Sequence, residues 1–290
     1  MLQLEELTET SGLNIKTKVG GSWVDPVPHV NVGGTWTKVK KAYGKVGSTW
    51  QQTYEYESVY TFANGVHTSV DLDALGLDRY HDVRVVIPSG ASLVASSTST
   101  YALKTGTSHV AKLTIENNGV ILGRGGNGGN GGFGYSYNAI ANATNGTSGG
   151  IAVHVESNIT MINNGTLAGG GGGGGGAAGA VHVGTAYSGG GGGGGGRPYG
   201  SGGNGGSTTH SGSNGATATL TSQGSGGGGG FDGTTGGGTG GAGGTVGAAG
   251  SLGGAVVGAH SGGGHVIESS RGAGGASGVT YHNPSNFTIS

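Results

Sequence analysis

The pattern of hydrophobic and polar positions changes twice along this chain. Three copies of one motif come first: Val19-Gly-Gly-Ser-Trp23, Val32-Gly-Gly-Thr-Trp36 and Val46-Gly-Ser-Thr-Trp50. Each reads as a strand end, a tight glycine turn and a new strand that begins with tryptophan. The spacing predicts small β-hairpin units over residues 18–56, with the three indole rings packed together. Ahead of them, Leu2, Leu4 and Leu7 mark a short amphipathic helix.

The second pattern is alternation. Val83, Val85 and Ile87 alternate with polar residues and stop at Pro88-Ser-Gly90. Leu113, Ile115, Val120 and Leu122 flank the corner Asn117-Asn118-Gly119, a strong turn signal. The unit Leu113-Thr-Ile-Glu-Asn-Asn-Gly119 recurs about 46 residues later as Ile159-Thr-Met-Ile-Asn-Asn-Gly165, and both copies feed a glycine run. A supersecondary unit repeated at such a period predicts stacked rungs, each completing its neighbour.

After residue 122 the apolar pattern gives way to glycine. Runs occupy 123–132, 169–176, 189–196, 200–206, 224–230, 236–247 and 262–264, with strand-like pieces at 151–155, 180–183, 255–257 and 265–267. From Gly125 to Phe133 the residues other than glycine, Asn127, Asn130 and Phe133, fall at every third position. Three residues per turn is the repeat of the polyproline-II helix, which has no internal hydrogen bonds. Buried backbone groups must be paired. One such run alone stays solvated, whereas several side by side pair with one another, and glycine lets the backbones touch. The segments between runs differ. Residues 133–147, 177–188, 207–225 and 248–261 are longer and carry aromatic, histidine and polar residues, whereas 197–199 and 231–235 are short turns. If successive runs alternate in direction, the longer loops gather at one end. A rigid scaffold that presents loops is the usual arrangement for recognition.

Composition sharpens this. Of 75 glycines, 63 follow residue 120, but only six of the 27 charged residues do. The glycine-rich part therefore lacks both a conventional core and the charge of a solvated linker. A net charge of −1 gives no electrostatic case for nucleic acid or a membrane surface. There is no cysteine for a disulfide or zinc knuckle, no apolar stretch of membrane-spanning length, and no signal-peptide pattern in the acidic start. Without a secretory signal, the Asn-x-Thr triplets at Asn142, Asn145, Asn158, Asn164 and Asn286 read as turn chemistry rather than glycan sites.

The Val-Gly-Gly-Thr-Trp repeats, the Leu113 to Gly129 unit and the polyglycine runs with intervening loops resemble tail-fibre and receptor-binding proteins of tailed bacteriophages. The glycine-rich part is similar to the small adhesins at the long tail-fibre tips of T-even-like phages. That resemblance implies a polyglycine-II sandwich whose distal loops bind a host outer-membrane protein. It also implies a place at the fibre tip of the virion, after synthesis in the host cytoplasm. The N-terminal part departs from the attachment domain of those adhesins, so monomer and homotrimer both stay open.

The expected fold is mostly β and irregular. A small β-domain at 1–56 serves fibre attachment through Trp23, Trp36, Trp50, Lys38 and Lys40. A β-rich connector at 57–122 follows, and then a glycine-rich domain at 123–290. Receptor contact falls to the loop residues Phe133, Tyr135, Tyr137, Asn138, His182, Tyr187, Thr209, His210, Asn214 and His260. The partners are a host surface receptor, outer-membrane protein or glycan, and the tail-fibre protein. The alternative is a structural fibre component or assembly chaperone with inert loops. A spacer has no need of aromatic loops of varied length.

Catalysis and cofactors find no support. The acids after residue 120 are Glu156, Asp232 and Glu268, too few for the paired carboxylates of a glycan-cleaving tailspike. No Gly-Lys-Ser/Thr loop follows any glycine run. Asp71, Asp73 and Asp78 lack the glycine and closing glutamate of a calcium loop and read as a turn. No metal is expected.

Overall fold

A computed structural model describes residues 17–19, 22–24, 29–39, 41–46, 48–78, 81–108, 112–136, 139–182, 186–233, 235–258, 266–282 and 287–289. The helix expected at 2–7 and Lys40 lie outside them.

Three antiparallel hairpins come first. β1 (Thr17–Val19) pairs with β2 (Ser22–Val24), β3 (His29–Val32) with β4 (Thr35–Lys38), and β5 (Lys41–Val46) with β6 (Thr49–Glu55). The turn between β3 and β4 falls on its glycine motif. Gly33 and Gly34 take φ of +59° and +89°, the left-handed region that glycine enters at no steric cost. The expected tryptophan core is corrected by the structure: Trp36 and Trp50 are 69% and 66% exposed. A single two-stranded ribbon has no second layer to bury an indole against. The side chain of Trp23 lies outside the described ones.

From residue 57 the chain winds into a three-faced parallel β-helix. Its first rung is β7 (Glu57–Thr61), β8 (Gly65–Thr68) and β9 (Val70–Asp71), and its second is β10 (Asp82–Ile87), β11 (Ala91–Val94) and β12 (Leu103–Lys104). The third rung opens with β13 (Leu113–Asn117) and β14 (Val120–Leu122). It leaves for an excursion carrying β15 (Phe133–Ser136) and β16 (Ala139–Ala141), then closes with β17 (Val153–His154). The fourth opens with β18 (Ile159–Asn163) and β19 (Thr166–Ala168). A longer excursion then carries β20 (Ala180–His182), β21 (Ala186–Ser188) and β22 (Val266–Glu268) before β23 (Tyr281–His282) closes the rung. β24 (Phe287–Ile289) adds a last strand to the first face.

The strands stack in parallel as β7-β10-β13-β18-β24, β8-β11-β14-β19 and β9-β12-β17-β23. The repeated unit stacks in register, from Leu113 on Ile159 to Asn117 on Asn163. Alternate residues point inward, so Val83, Val85, Leu93, Leu113, Ile115 and Met161 build one buried core. The expected calcium-like acids each serve a local bond. Asp71 caps the 3₁₀ turn Leu72–Leu75, Asp73 accepts from the Thr107 and Ser108 amides, and Asp78 pairs with His81 and Lys38.

All the glycine runs leave through one corner of this β-helix, between its second and third faces. In the first rung that corner is the single residue Ser69, at φ +47°. In the second it is a Ser/Thr loop, and in the third and fourth it is the two excursions. The glycine-rich part is thus inserted into the β-helix rather than appended after residue 122, because β17–β19, β23 and β24 return to its sheets.

The excursions hold ten extended runs: 123–132, 142–150, 169–178, 189–197, 200–206, 211–218, 224–230, 236–245, 248–254 and 269–278, numbered 1 to 10 below. Hydrogen bonds repeat at every third residue. The Gly126, Gly129 and Gly132 amides donate to Gly171, Gly174 and Ala177, so runs 1 and 3 are parallel. The Gly171, Gly174 and Ala177 amides donate to Arg197, Gly194 and Gly191, so runs 3 and 4 are antiparallel. Direction alternates in this way through all ten.

Runs 3 and 4, which contain the unbroken glycine stretches 169–176 and 189–196, sit at the centre. Run 3 bonds to runs 1, 2, 4, 8, 9 and 10, and run 4 to runs 1, 3, 5, 6, 7 and 8. Each is enclosed hexagonally by backbone, and a Cβ built on Gly173 would lie 1.9 Å from the Asn127 carbonyl oxygen. The surrounding runs carry side chains, in runs 1, 5 and 8 at every third position. There the side chains replace missing backbone partners. Thr147 and Thr144 hydroxyls accept from the Asn127 and Asn130 amides at 2.7 Å. Asn142 and Asn145 accept from Ser270 and Ala273. The Asn-x-Thr pattern at 142–147 is therefore a lattice edge, not the turn or loop expected there.

Candidate functional site

Alternation has a direct consequence. Runs 1 and 3 start at the β-helix and runs 2 and 10 end there, so every odd-numbered run ends at the far side. Five connections gather at that free end: 133–141, 179–188, 207–210, 231–235 and 255–268. The turns at 198–199, 219–223 and 246–247 face the β-helix.

Residues 179–188 are the hub of this free end. β20 pairs with β21 on one side and with β22, from the last connection, on the other. Ser188 bridges to His210, and the Tyr187 carbonyl accepts from the His210 amide at 3.2 Å and the Thr208 hydroxyl at 3.0 Å. The buried Ser188 hydroxyl donates to the Thr235 carbonyl at 2.8 Å. Gly236 then bridges to Val257, joining the last two connections. β15 packs beside β20 and β21. The five loops form one braced surface on a lattice roughly 25–30 Å tall.

The expected contact residues divide. Phe133, Tyr187, Thr209 and His210 stand in this surface, Thr209 exposed and the others half-buried. Tyr135 and His182 lie on its strands, with side chains outside the described ones. Tyr137, Asn138 and His260 lie outside the described residues. Asn214 does not belong with them: it sits within run 6, where its side-chain oxygen accepts from the Gly205 amide at 2.9 Å. Segment 207–225 is not one loop but a free-end turn, a lattice run and a turn at the other end.

Sequence reasoning missed Phe231, Val257 and the bracing pair Asp232 and Ser188. Phe231 and Val257 are 61% and 62% exposed. Segment 231–235 reads as a mere turn because its length depends only on how far apart two runs sit. The one signal was a lone phenylalanine among glycines.

A titratable cluster lies elsewhere, on the third face of the β-helix. Lys104 pairs with Asp71 and Glu156, which raise its pKa, Glu156 most. The His154 ring packs against those of Tyr101 and His282, with centroids 4.3 and 5.1 Å away. Burial lowers its pKa, Glu156 opposes that, and the charges of His282 and Lys104 add to the lowering. Among the described residues no group of three His, Asp or Glu side chains is placed to hold a metal ion.

A short β-helix with a glycine lattice at one corner and braced loops at the lattice's free end defines a protein built to present a contact surface. The chain belongs to the Gp38 family of phage tail fibre adhesins, whose family model matches residues 57–290. It is a receptor-binding adhesin of the virion's tail fibre. The gp37–gp38 adhesin tip complex of the bacteriophage S16 long tail fibre is a similar solved structure. It has 26% identity over 81% of this chain and 78% of that one, with a TM-score of 0.48. No curated protein sequence is significantly similar.

Proposed function

We propose that the five loops at the free end of the lattice are the surface that meets the host receptor, and that the hairpins at 17–55 join the chain to its tail fibre. The observation that carries the first reading is the alternation of the ten runs. It collects every connection between an odd run and the next even run at the end remote from the β-helix. Phe133, Tyr135, Tyr137, Asn138, His182, Tyr187, Thr209, His210 and His260 are its contact residues, acting by binding without chemistry. Aromatic side chains supply rigid contact area and the serine, asparagine and glycine around them supply adaptable polar contacts. The adhesin therefore sits at the tip of the fibre, with its lattice outward.

The attachment reading rests on Trp36 and Trp50, exposed on ribbons ahead of the family match. Trp23, from the first copy of the motif, and Lys40 join them. Lys38 is already engaged, donating to the Tyr56 hydroxyl and pairing with Asp78, so its part is to dock its hairpin against the β-helix.

Exchange of 133–141, 179–188 and 207–210 for the matching loops of a related adhesin tests the receptor reading. Host range should follow the loops. Unchanged host range and unchanged binding to receptor-bearing cells would overturn it.

A further inference from the structure

At the free end, Phe231 and Val257 each form an antiparallel bridge with the same residue, Gly236. Directly opposed residues share a face of the sheet. Phe231 and Val257 therefore stand on one side, about 10 Å apart by strand spacing, with no side chain between them. The Phe231 ring leans into that gap: its Cδ2 lies 3.1 Å from where a Cβ on Gly236 would sit. Both remain more than 60% exposed, so they form one apolar patch.

The patch is braced from beneath. The Asp232 carboxylate accepts from the Thr235 amide at 2.6 Å and closes the connection. Ser188 holds the Thr235 carbonyl, and Gly236 exchanges two backbone bonds with Val257. An exposed aromatic ring on a rigid, hydrogen-bonded support loses little entropy on binding, which is the character of an interface anchor.

Charge narrows the occupant. The free-end segments 133–141, 179–188, 207–210, 231–235 and 255–268 contain no lysine or arginine. A phosphorylated or carboxylated glycan would call for such cations. Valine offers nothing to sugar hydroxyls.

We infer that Phe231 and Val257, across Gly236, are the apolar anchor by which this adhesin grips an uncharged apolar loop of a host outer-membrane protein. This inference rests on the receptor-binding surface proposed above.

The test uses the full chain, labelled, on host cells. Phe231→Ser and Val257→Ser should each weaken binding at least tenfold, and Phe231→Tyr, which keeps the ring, should stay within about threefold of the parent. Because both side chains are exposed, melting temperature and protease resistance should match the parent, so weaker binding reads as a lost contact. Detergent-solubilised outer-membrane proteins should compete and purified lipopolysaccharide should not. Parent-like binding by the two serine variants overturns the anchor and leaves the surface intact. Competition by lipopolysaccharide instead of protein overturns the occupant. An unaltered host range after the loop exchange removes the surface itself, and the anchor with it.

Discussion

The Asn117 side-chain amide donates to the Asn163 side-chain oxygen at 2.7 Å, between two residues 46 positions apart that occupy the same corner of successive rungs. Asn117 is fully buried, donates also to the Thr166 carbonyl, and accepts from the Gly119 amide. Asn164 repeats the contact by donating to Asn118 at 3.0 Å. Replacing Asn117 by alanine leaves buried polar partners unpaired, at about 2–4 kcal/mol. Denaturant unfolding should show that loss, while the exposed Asn164→Ala should cost less than about 1 kcal/mol.

The lattice predicts a contrast between two glycines. A Cβ on Gly193 would lie 2.1 Å from the Gly174 carbonyl oxygen of run 3 at the lattice centre, where run 4 is enclosed on all sides. A Cβ on Gly228 would meet nothing within 4 Å. Gly193→Ala should therefore destabilise by about 3 kcal/mol or more and expose the glycine-rich part to protease. Gly228→Ala should stay within about 0.5 kcal/mol of the parent.

Edge side chains carry backbone bonds that solvent can replace. Asn127 accepts from the Ser201 amide at 3.0 Å on an exposed run. Asn127→Ala should cost about 0.5–1.5 kcal/mol. Amide hydrogen exchange should speed up at Ser201, with little change at Gly193.

Acid should weaken the third face of the β-helix. His154 has a folded pKa below its ordinary 6.5, first because burial disfavours the cation, then because His282 and Lys104 are charged alike and Glu156 only partly offsets them. A histidine with a depressed folded pKa binds its proton more readily when unfolded, so stability falls as pH drops below about 6.5 and levels off below the folded value. Melting temperature should decline between pH 7.5 and 5. His154→Gln should flatten that decline.

Trp36 and Trp50 should matter for attachment rather than stability. Serine at both positions should shift unfolding by less than about 0.5 kcal/mol, since neither ring is buried. Co-purification with the tail-fibre protein should fall at least tenfold.

Much of the architecture is legible along the chain because its signals are local. Gly33-Gly34 marks a hairpin turn, and Asn117-Asn118-Gly119 with its copy at Asn163 marks a stacking corner. The threefold placing of Asn127 and Asn130 follows from a helix with three residues per turn and one solvent side. The tryptophans misled because the motif sets the strand but not what lies behind it. Asn214 misled because an asparagine among serine, glycine and alanine looks alike in a loop and on a lattice edge.

The sequence by itself determined that backbone, not side chains, would hold the second half together: 63 glycines leave no other material for a core. That its two unbroken runs, 169–176 and 189–196, form the centre is a finding of the fold, where any side chain on them would strike a carbonyl of a neighbouring run. Tertiary structure alone decided which connections share the free end. That depends on the alternation of ten runs and on both excursions leaving one corner of the β-helix, relationships between residues far apart in the chain. The same packing brought Phe231 and Val257 together across Gly236, a neighbourhood that no local pattern encodes.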